Sequence, residues 1–83
     1  MSIVSSEVLR AGRALLGLSQ SALAAAAEIS VPTLRRIETD QTGVSVDLVK
    51  KVQGILEREG VEFLPETAMA HAGLRKLKNK ERV

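Results

Sequence analysis

Thr33, Arg35 and Arg36 are the residues whose types and spacing best fit a binding role in this chain. They surround Leu34 and Ile37, whose spacing is that of the buried side of a helix. The threonine and both arginines are therefore left on the remaining, solvated side. A helix that displays hydroxyl and guanidinium groups in this way can enter the major groove of DNA, where the base edges donate and accept hydrogen bonds.

A second short helix, rich in alanine, is predicted directly before the arginine-bearing one. Ser19 can cap it, and it is expected to run from Gln20 to about Ala26. Helices this short are not stable alone, so the two must cross closely, and a close crossing needs small side chains at the contact. Ala24 and Ala27 meet that need. Two short helices joined by a tight turn are typical of a helix-turn-helix, in which the packed alanines fix the direction of the arginines.

Two longer helices are predicted on either side of this pair. The first begins at one of the serines 5–6, and Gly17 ends it. The other is capped by Ser45, has apolar residues at a regular helical spacing, and ends at Gly60. With the short pair, whose second helix is expected over residues 31–39, they predict a mainly α-helical domain of four helices.

After the fourth helix the apolar pattern changes to that of a strand. Residues 61–64 predict one short strand and residues 74–77 a second, joined by a loop in a C-terminal β-hairpin. An isolated hairpin is marginal in water, so the strands are expected either to pack on their own helices or to pair with another chain. The expected organisation is a helical domain over 1–60, a strand pair over 61–77 and a disordered basic tail over 78–83.

Composition removes several classes of protein. The 83-residue chain has no cysteine, which excludes disulfides, cysteine-based zinc sites and thiol chemistry. Phe63 is its only aromatic residue, and this favours packed helices over a β-sandwich. No segment has the roughly 20 apolar residues that a membrane-spanning helix needs, and the start of the sequence does not resemble a signal peptide. A cytoplasmic protein without a membrane partner is expected.

Catalysis and cofactor binding are not expected either. The chain has no glycine-rich phosphate loop, and its single histidine, His71, has neither cysteines nor clustered carboxylates with which to bind a metal. Ser/His/Asp catalysis would have to use this same histidine, in a predicted loop. The prediction is a protein that is not an enzyme, has no metal and no cofactor, and carries His71 on its surface.

Positive charge is concentrated, although the net charge is only +2. Basic residues cluster at 35–36, at 50–51 and between 75 and 82. Such patches suit an acidic partner such as nucleic acid, and a solvated surface with a frayed basic tail is the alternative.

Four short motifs follow one another along the chain. Residues 12–20 read GRALLGLSQ, residues 30–38 read SVPTLRRIE, residues 60–66 read GVEFLPE and residues 73–75 read GLR. Their order and spacing resemble the Cro/XRE family of helix-turn-helix DNA-binding proteins, in particular a branch of short single-domain transcriptional regulators. The resemblance implies the four-helix fold of small phage repressors, followed by the hairpin, and a sequence-specific regulator that binds double-stranded DNA.

The resemblance also implies roles for individual residues. Arg36 occupies the family's base-reading position, where a guanidinium can bind guanine O6 and N7. Gln20 resembles a glutamine that contacts phosphate, with a solvated helix end as the alternative. Arg35 either contacts phosphate or is a plain surface arginine, and Thr33 offers its methyl group to thymine or its hydroxyl to phosphate. The loop after the reading helix either contacts the DNA backbone or is an ordinary polar loop. The residues expected to contact DNA are Gln20, Ser30, Val31, Pro32, Thr33, Arg35, Arg36, Thr39, Gln41 and Thr42.

Two departures from the family pattern affect these expectations. Glu28 stands where the family's turn usually has glycine; a left-handed backbone there would cost about 1 kcal/mol, and otherwise the turn has a different shape. Val31 and Pro32 replace polar residues at the tip of the reading helix. Proline is tolerated in a first helical turn, but this tip is apolar and stiff. Contact with thymine methyl groups, or shape complementarity, is expected from it instead of hydrogen bonds.

Arg13 and Glu38 resemble a partly buried ion pair that ties the first helix to the end of the third in family members. Its implied role is structural. Removal of one partner would leave the other charge uncompensated, so loss of folding is expected rather than loss of specificity.

A single reading helix covers about half of a useful recognition site, so a homodimer on an inverted repeat is expected. The strand at 61–64 is the candidate dimerisation element through Val61, Phe63 and Leu64, with Phe63 packed across the interface. A hairpin folded on its own helices is the alternative.

The expected function is a regulator that occupies operators, including its own promoter, as a repressor or an activator, with RNA polymerase as a further partner. The alternative is a protein-binding module, such as the antitoxin of a toxin pair, whose main partner is another small protein. A toxin gene beside this one would favour the alternative.

Overall fold

The structure is a computed structural model that describes residues 4–64 and, for the backbone alone, residues 73–76. The predictions for the loop that contains His71 and for the tail at 78–83 lie outside these residues.

Four helices contain most of the described residues, and each is preceded by a capping serine. Their bounds are α1 Ser6–Leu15, α2 Gln20–Ala27, α3 Val31–Ile37 and α4 Val46–Arg58. The capping serines are Ser5, Ser19, Ser30 and Ser45, and each side-chain oxygen accepts a backbone N–H of the first turn. A hydroxyl in this position satisfies an amide that has no partner inside the helix. The predicted caps at 19 and 45 are confirmed, and of the two serines proposed for the first helix, Ser5 is the cap.

The end of α3 differs from the prediction. The helix stops at Ile37, two residues before the predicted end at Thr39. Residues 38–39 form a turn, after which the N–H groups of Thr39 and Asp40 both donate to the carbonyl of Arg36, at 3.1 and 2.7 Å. The chain therefore leaves the helix directly after its last buried residue.

The core is aliphatic and is built from all four helices and the first strand. In the helix-turn-helix, Ala24 and Ala27 are buried in the core, whereas Ala25 and Ala26 are exposed. Two of the four consecutive alanines are thus packed in the interior, and their predicted place at the crossing of α2 and α3 stays a prediction. The buried apolar residues are Leu9, Leu23, Ala24, Ala27, Leu34, Ile37, Val49, Val52, Ile55, Leu56 and Val61.

Two short strands follow the helices. Strand β1, Val61–Leu64, pairs antiparallel with β2, Gly73–Lys76, with Val61 opposite Lys76. The first strand lies against α4 and the second against α1. The segment that would join them is outside the described residues, so the predicted hairpin stays a prediction.

None of the helices in the described part of the chain is long and apolar enough to cross a membrane.

Candidate nucleic-acid interface

Helix α3 presents its polar side chains to solvent on the side opposite its buried residues. Leu34 and Ile37 are fully buried, and Arg35 and Arg36 are exposed. Thr33 is half-buried, and its hydroxyl lies 2.8 Å from that of Ser30. The helix therefore offers two guanidinium groups to a partner, while the threonine hydroxyl is already engaged in the cap.

The N-terminal tip of α3 is formed by Val31 and Pro32. Val31 packs against the core, and Pro32 is exposed in the first turn of the helix. Proline lacks an N–H group, so this tip can donate fewer hydrogen bonds to DNA than an ordinary helix start. Of the two, only the proline ring is well placed for apolar contact with a partner.

The turn between α2 and α3 is left-handed at Glu28. This residue has φ 60° and ψ 42°, and it is the one non-glycine with positive φ among the described residues. The first of the two conformations considered for the turn is therefore the one adopted, at a cost of about 1 kcal/mol relative to glycine. The exposed carboxylate of Glu28 lies 3.7 Å from Lys51 on α4, a contact that adds little stability at the surface.

The end of α3 is held by the carboxylate of Glu38, which is 1% exposed. Arg13 on α1 donates to both of its oxygens, from Nε at 2.7 Å and from Nη2 at 3.0 Å, and from Nη1 to the carbonyl of Leu18 at 2.9 Å. Arg10, one turn earlier on α1, donates to the backbone carbonyl of Glu38 at 2.8 Å. These bonds satisfy a buried charge and fix the end of α3 against α1.

Gln20, at the start of α2, shares the same carboxylate. Its Nε2 donates to Oε1 of Glu38 at 3.2 Å, and the residue is half-buried. The amide is therefore oriented by the buried network. Its side-chain oxygen and its second N–H are not used in this bond, so a phosphate contact from Gln20 is compatible with the network.

The loop after α3 is folded around Asp40. Oδ1 of Asp40 accepts the backbone N–H of Thr42 at 3.0 Å, and Nη2 of Arg36 donates to the carbonyl of Thr42 at 3.2 Å. Hydrogen bonds from Thr42, first from its hydroxyl and then from its N–H, lower the pKa of Asp40 below 3.8, and the charge of Arg36 acts in the same direction. The predicted base-reading arginine is thus bonded to the loop that follows its own helix.

A family model described as helix-turn-helix matches residues 9–63. The chain belongs to the Cro/XRE family of helix-turn-helix proteins. The match includes α2 and α3 and extends through α4 into β1. No curated protein matches the chain.

Gln41, one of the residues predicted to contact DNA, is bonded within its own chain. It is half-buried, and its Nε2 donates to the carbonyl of Val4 at 3.1 Å. Gln53 on α4, which is 3% exposed, accepts the N–H of Val4 at 3.4 Å. The two glutamines hold the start of the chain beside the loop, whereas Thr39 and Thr42 are exposed.

The residues predicted for dimerisation are packed within their own chain to different degrees. Val61 is 1% exposed and belongs to the core. Phe63 is half-buried and lies against α1, where a Cβ added to Gly12 would be 3.3 Å from its Cζ. Leu64 is also half-buried. Because Val61 is buried in its own chain, a contact between two copies through β1 would depend on the edge of the strand more than on the Val61 side chain.

Arg10 and Asp40 were missed by the sequence reasoning, although both leave a signal. Arg10 is three residues before Arg13 and so lies on the same side of α1. Asp40 precedes Thr42 by two residues, the spacing at which an aspartate side chain accepts a backbone N–H in a turn.

Among residues 4–64, no group of three or more His, Cys, Asp or Glu side chains could hold a metal ion.

Proposed function

We propose that this protein is a sequence-specific transcriptional regulator that binds inverted-repeat operators as a dimer, including the operator of its own promoter. Family membership supports a DNA-binding regulator in general. The observation that carries the specific proposal is the pair of exposed guanidinium groups on α3, a helix whose end is fixed by the buried Glu38.

In this proposal α3 lies in the major groove. Arg36 binds guanine through O6 and N7, a contact that discriminates against the other bases by about 1–3 kcal/mol. Arg35 and Gln20 bind phosphates, and Pro32 makes apolar contact at the tip of the helix. Phosphate contacts orient the protein, and the base contact supplies the sequence preference.

Dimerisation supplies the second half of the site. One reading helix contacts only a few base pairs, and a two-fold dimer doubles the contacts at a spacing of about one helical turn. Strand β1 is bonded to β2 along one edge. Addition of a partner's β1 at the other edge, with Leu64 and the outer part of Phe63 at the contact, would join two copies without disturbing the buried Val61.

The test is binding of the purified protein to DNA from upstream of its own gene, measured by fluorescence anisotropy across a salt series. A scrambled duplex of the same composition is the reference. Arg36→Ala is compared with Arg58→Ala, which removes an equal charge from an exposed position at the end of α4. The expected result is a specific complex that Arg36→Ala reduces to the scrambled level, while Arg58→Ala keeps the preference for the upstream sequence.

The opposite result is equal and steeply salt-dependent binding of the wild-type protein to both duplexes. Only phosphate contacts would then be present, because counterion release depends on charge and not on sequence. That result would overturn the proposal and direct the search to a small protein partner. Sedimentation of the complex with one and two half-sites tests the dimer separately.

A further inference from the structure

The loop that follows α3 contains a carboxylate in a place where a DNA-binding surface would be expected to avoid one. Asp40 is exposed and follows the predicted reading helix by three residues. A negative charge beside DNA repels phosphate and weakens binding to any sequence. Its presence here calls for a benefit that general affinity does not supply.

The contacts of Asp40 indicate what that benefit is. Its carboxylate accepts from Thr42, whose N–H is 3.0 Å away, and so closes the chain into a turn. In this turn the carbonyl of Thr42 accepts Nη2 of Arg36 at 3.2 Å. The carboxylate is thus bonded to the same residue whose carbonyl is bonded to the guanidinium.

The hydrogen bond to Thr42 leaves most of the donors of Arg36 available to a partner. The guanidinium is planar and has five N–H donors. The bond to Thr42 uses one of them, so four remain for a partner. Because the group is rigid, fixing one nitrogen against the loop restricts the plane in which the other donors can reach a guanine.

Gly43 completes the arrangement. It has φ +81°, a conformation that favours glycine, and a Cβ at this position would lie 3.4 Å from Nη2 of Arg36. A side chain here would be strained by this backbone conformation, and its Cβ would touch the guanidinium. The loop conformation in which Thr42 bonds to Arg36 therefore favours glycine at this position.

We propose that Asp40 is a positioning residue for operator recognition: by holding Thr42, it orients the guanidinium of Arg36 toward guanine. The inference rests on the proposed function and adds to it a residue that contacts no base. The general affinity lost through the negative charge is offset by a higher preference for the operator.

The test is a double-mutant cycle on the ratio of operator binding to scrambled-duplex binding. The variants are Asp40→Ala, Asp40→Asn, Arg36→Ala and the double variant Asp40→Ala with Arg36→Ala. The ratio cancels the general gain in affinity that follows loss of a negative charge. We expect Asp40→Ala to lower the ratio about threefold to tenfold in the wild-type background and to leave it unchanged in the Arg36→Ala background.

Asp40→Asn separates positioning from charge. The asparagine oxygen can still accept the N–H of Thr42, so this variant is expected to keep most of the wild-type ratio. Thr42→Val, which keeps the backbone carbonyl but loses the hydroxyl donor, is expected to lower the ratio less than Asp40→Ala. Thermal unfolding of each variant establishes that it is folded, and Thr42→Val provides the comparison if Asp40→Ala is not.

Three results would overturn the inference. An unchanged ratio in Asp40→Ala would mean that the loop does not orient Arg36. An equal fall in both backgrounds would mean that Asp40 acts on the fold and not through Arg36. An equal fall of the ratio in Asp40→Ala and Asp40→Asn would mean that the charge of Asp40, and not its bond to Thr42, affects recognition. Equal binding of the wild-type protein to both duplexes would instead overturn the proposed function together with this inference.

Discussion

The turn before α3 and the loop after it are built in different ways. The turn changes direction within residues 28–30 and includes a left-handed glutamate whose side chain forms a long, exposed ion pair with Lys51. The loop begins at the buried Glu38, which binds two arginines and a glutamine, and continues through the bonded turn of Asp40 and Thr42. The turn before α3 therefore has a strained backbone and few polar contacts, whereas the loop after α3 is held by several hydrogen bonds and an ion pair.

The difference indicates which connection determines the position of α3. A conformation that costs about 1 kcal/mol persists only where the surroundings fix it more strongly than it is disfavoured. Around Glu28 those surroundings are the buried contacts of Ala24 and Ala27 and the bonds at the far end of α3. The helix is therefore set in place by its C-terminal end and its buried side, and the turn follows.

Glu38→Ala tests whether the bonds at the end of α3 determine its position, and it is expected to have the largest effect. The substitution leaves Arg13 partly buried without its carboxylate, so the free energy of unfolding is expected to fall by about 3–5 kcal/mol. Urea denaturation followed by circular dichroism measures it. Glu59→Ala, at an exposed position after α4, is the control and is expected to change little. A loss below about 1 kcal/mol at Glu38 would mean that the network does not fix α3.

Glu28→Gly tests whether the left-handed backbone of the turn before α3 is strained. Glycine adopts the left-handed conformation freely, so the free energy of unfolding is expected to rise by about 1 kcal/mol, even though the contact with Lys51 is lost. Glu28→Ala loses the same contact and keeps the strain, and it is expected to give no such gain. If both variants stabilise the protein equally, charge and not backbone conformation is the cause.

Asp40→Asn gives the smallest effect, and it depends on pH. Because Thr42, and secondarily Arg36, lower the pKa of Asp40 in the folded state, the unfolded state takes up the proton first as the pH falls. The stabilisation is therefore complete above about pH 3.8 and is lost as the pH falls from there through the folded-state pKa. The thermal unfolding temperature is expected to fall less steeply with decreasing pH in Asp40→Asn than in the wild-type protein. If the unfolding temperature fell equally steeply in both proteins, the bond between Asp40 and Thr42 would not contribute to stability.

The sequence predicts best those features that depend on local interactions. A serine cap acts on the N–H groups of its own first turn, so Ser5, Ser19 and Ser45 can be recognised without knowledge of the fold. The burial of Ala24 and Ala27 is likewise expected from the shortness of α2 and α3, which must pack on one another to be stable. For Glu28 the sequence shows only that glycine is absent; the left-handed conformation is decided by how the two helices pack.

Contacts between distant segments are harder to predict. The pairing of Arg13 with Glu38 was implied by the family resemblance, because an ion pair needs a cation and a carboxylate at these two positions of the family's motifs. Arg10 binds a backbone carbonyl, which any long cation in that position could do, so its identity carries little information. Gln41 is a similar case, because its partner is the backbone of Val4 at the start of the chain. An exposed glutamine and a tethering glutamine look the same in sequence.

The contact between Phe63 and Gly12 lies directly beside the bonds that hold Glu38 at the end of α3. The ring lies on the backbone of α1 at the residue directly before Arg13, whose guanidinium binds Glu38 at the end of α3. Strand β1 and the end of α3 thus both contact α1, at two consecutive residues. Substitutions in this part of α1 are therefore expected to affect the packing of β1 and the anchoring of α3 together.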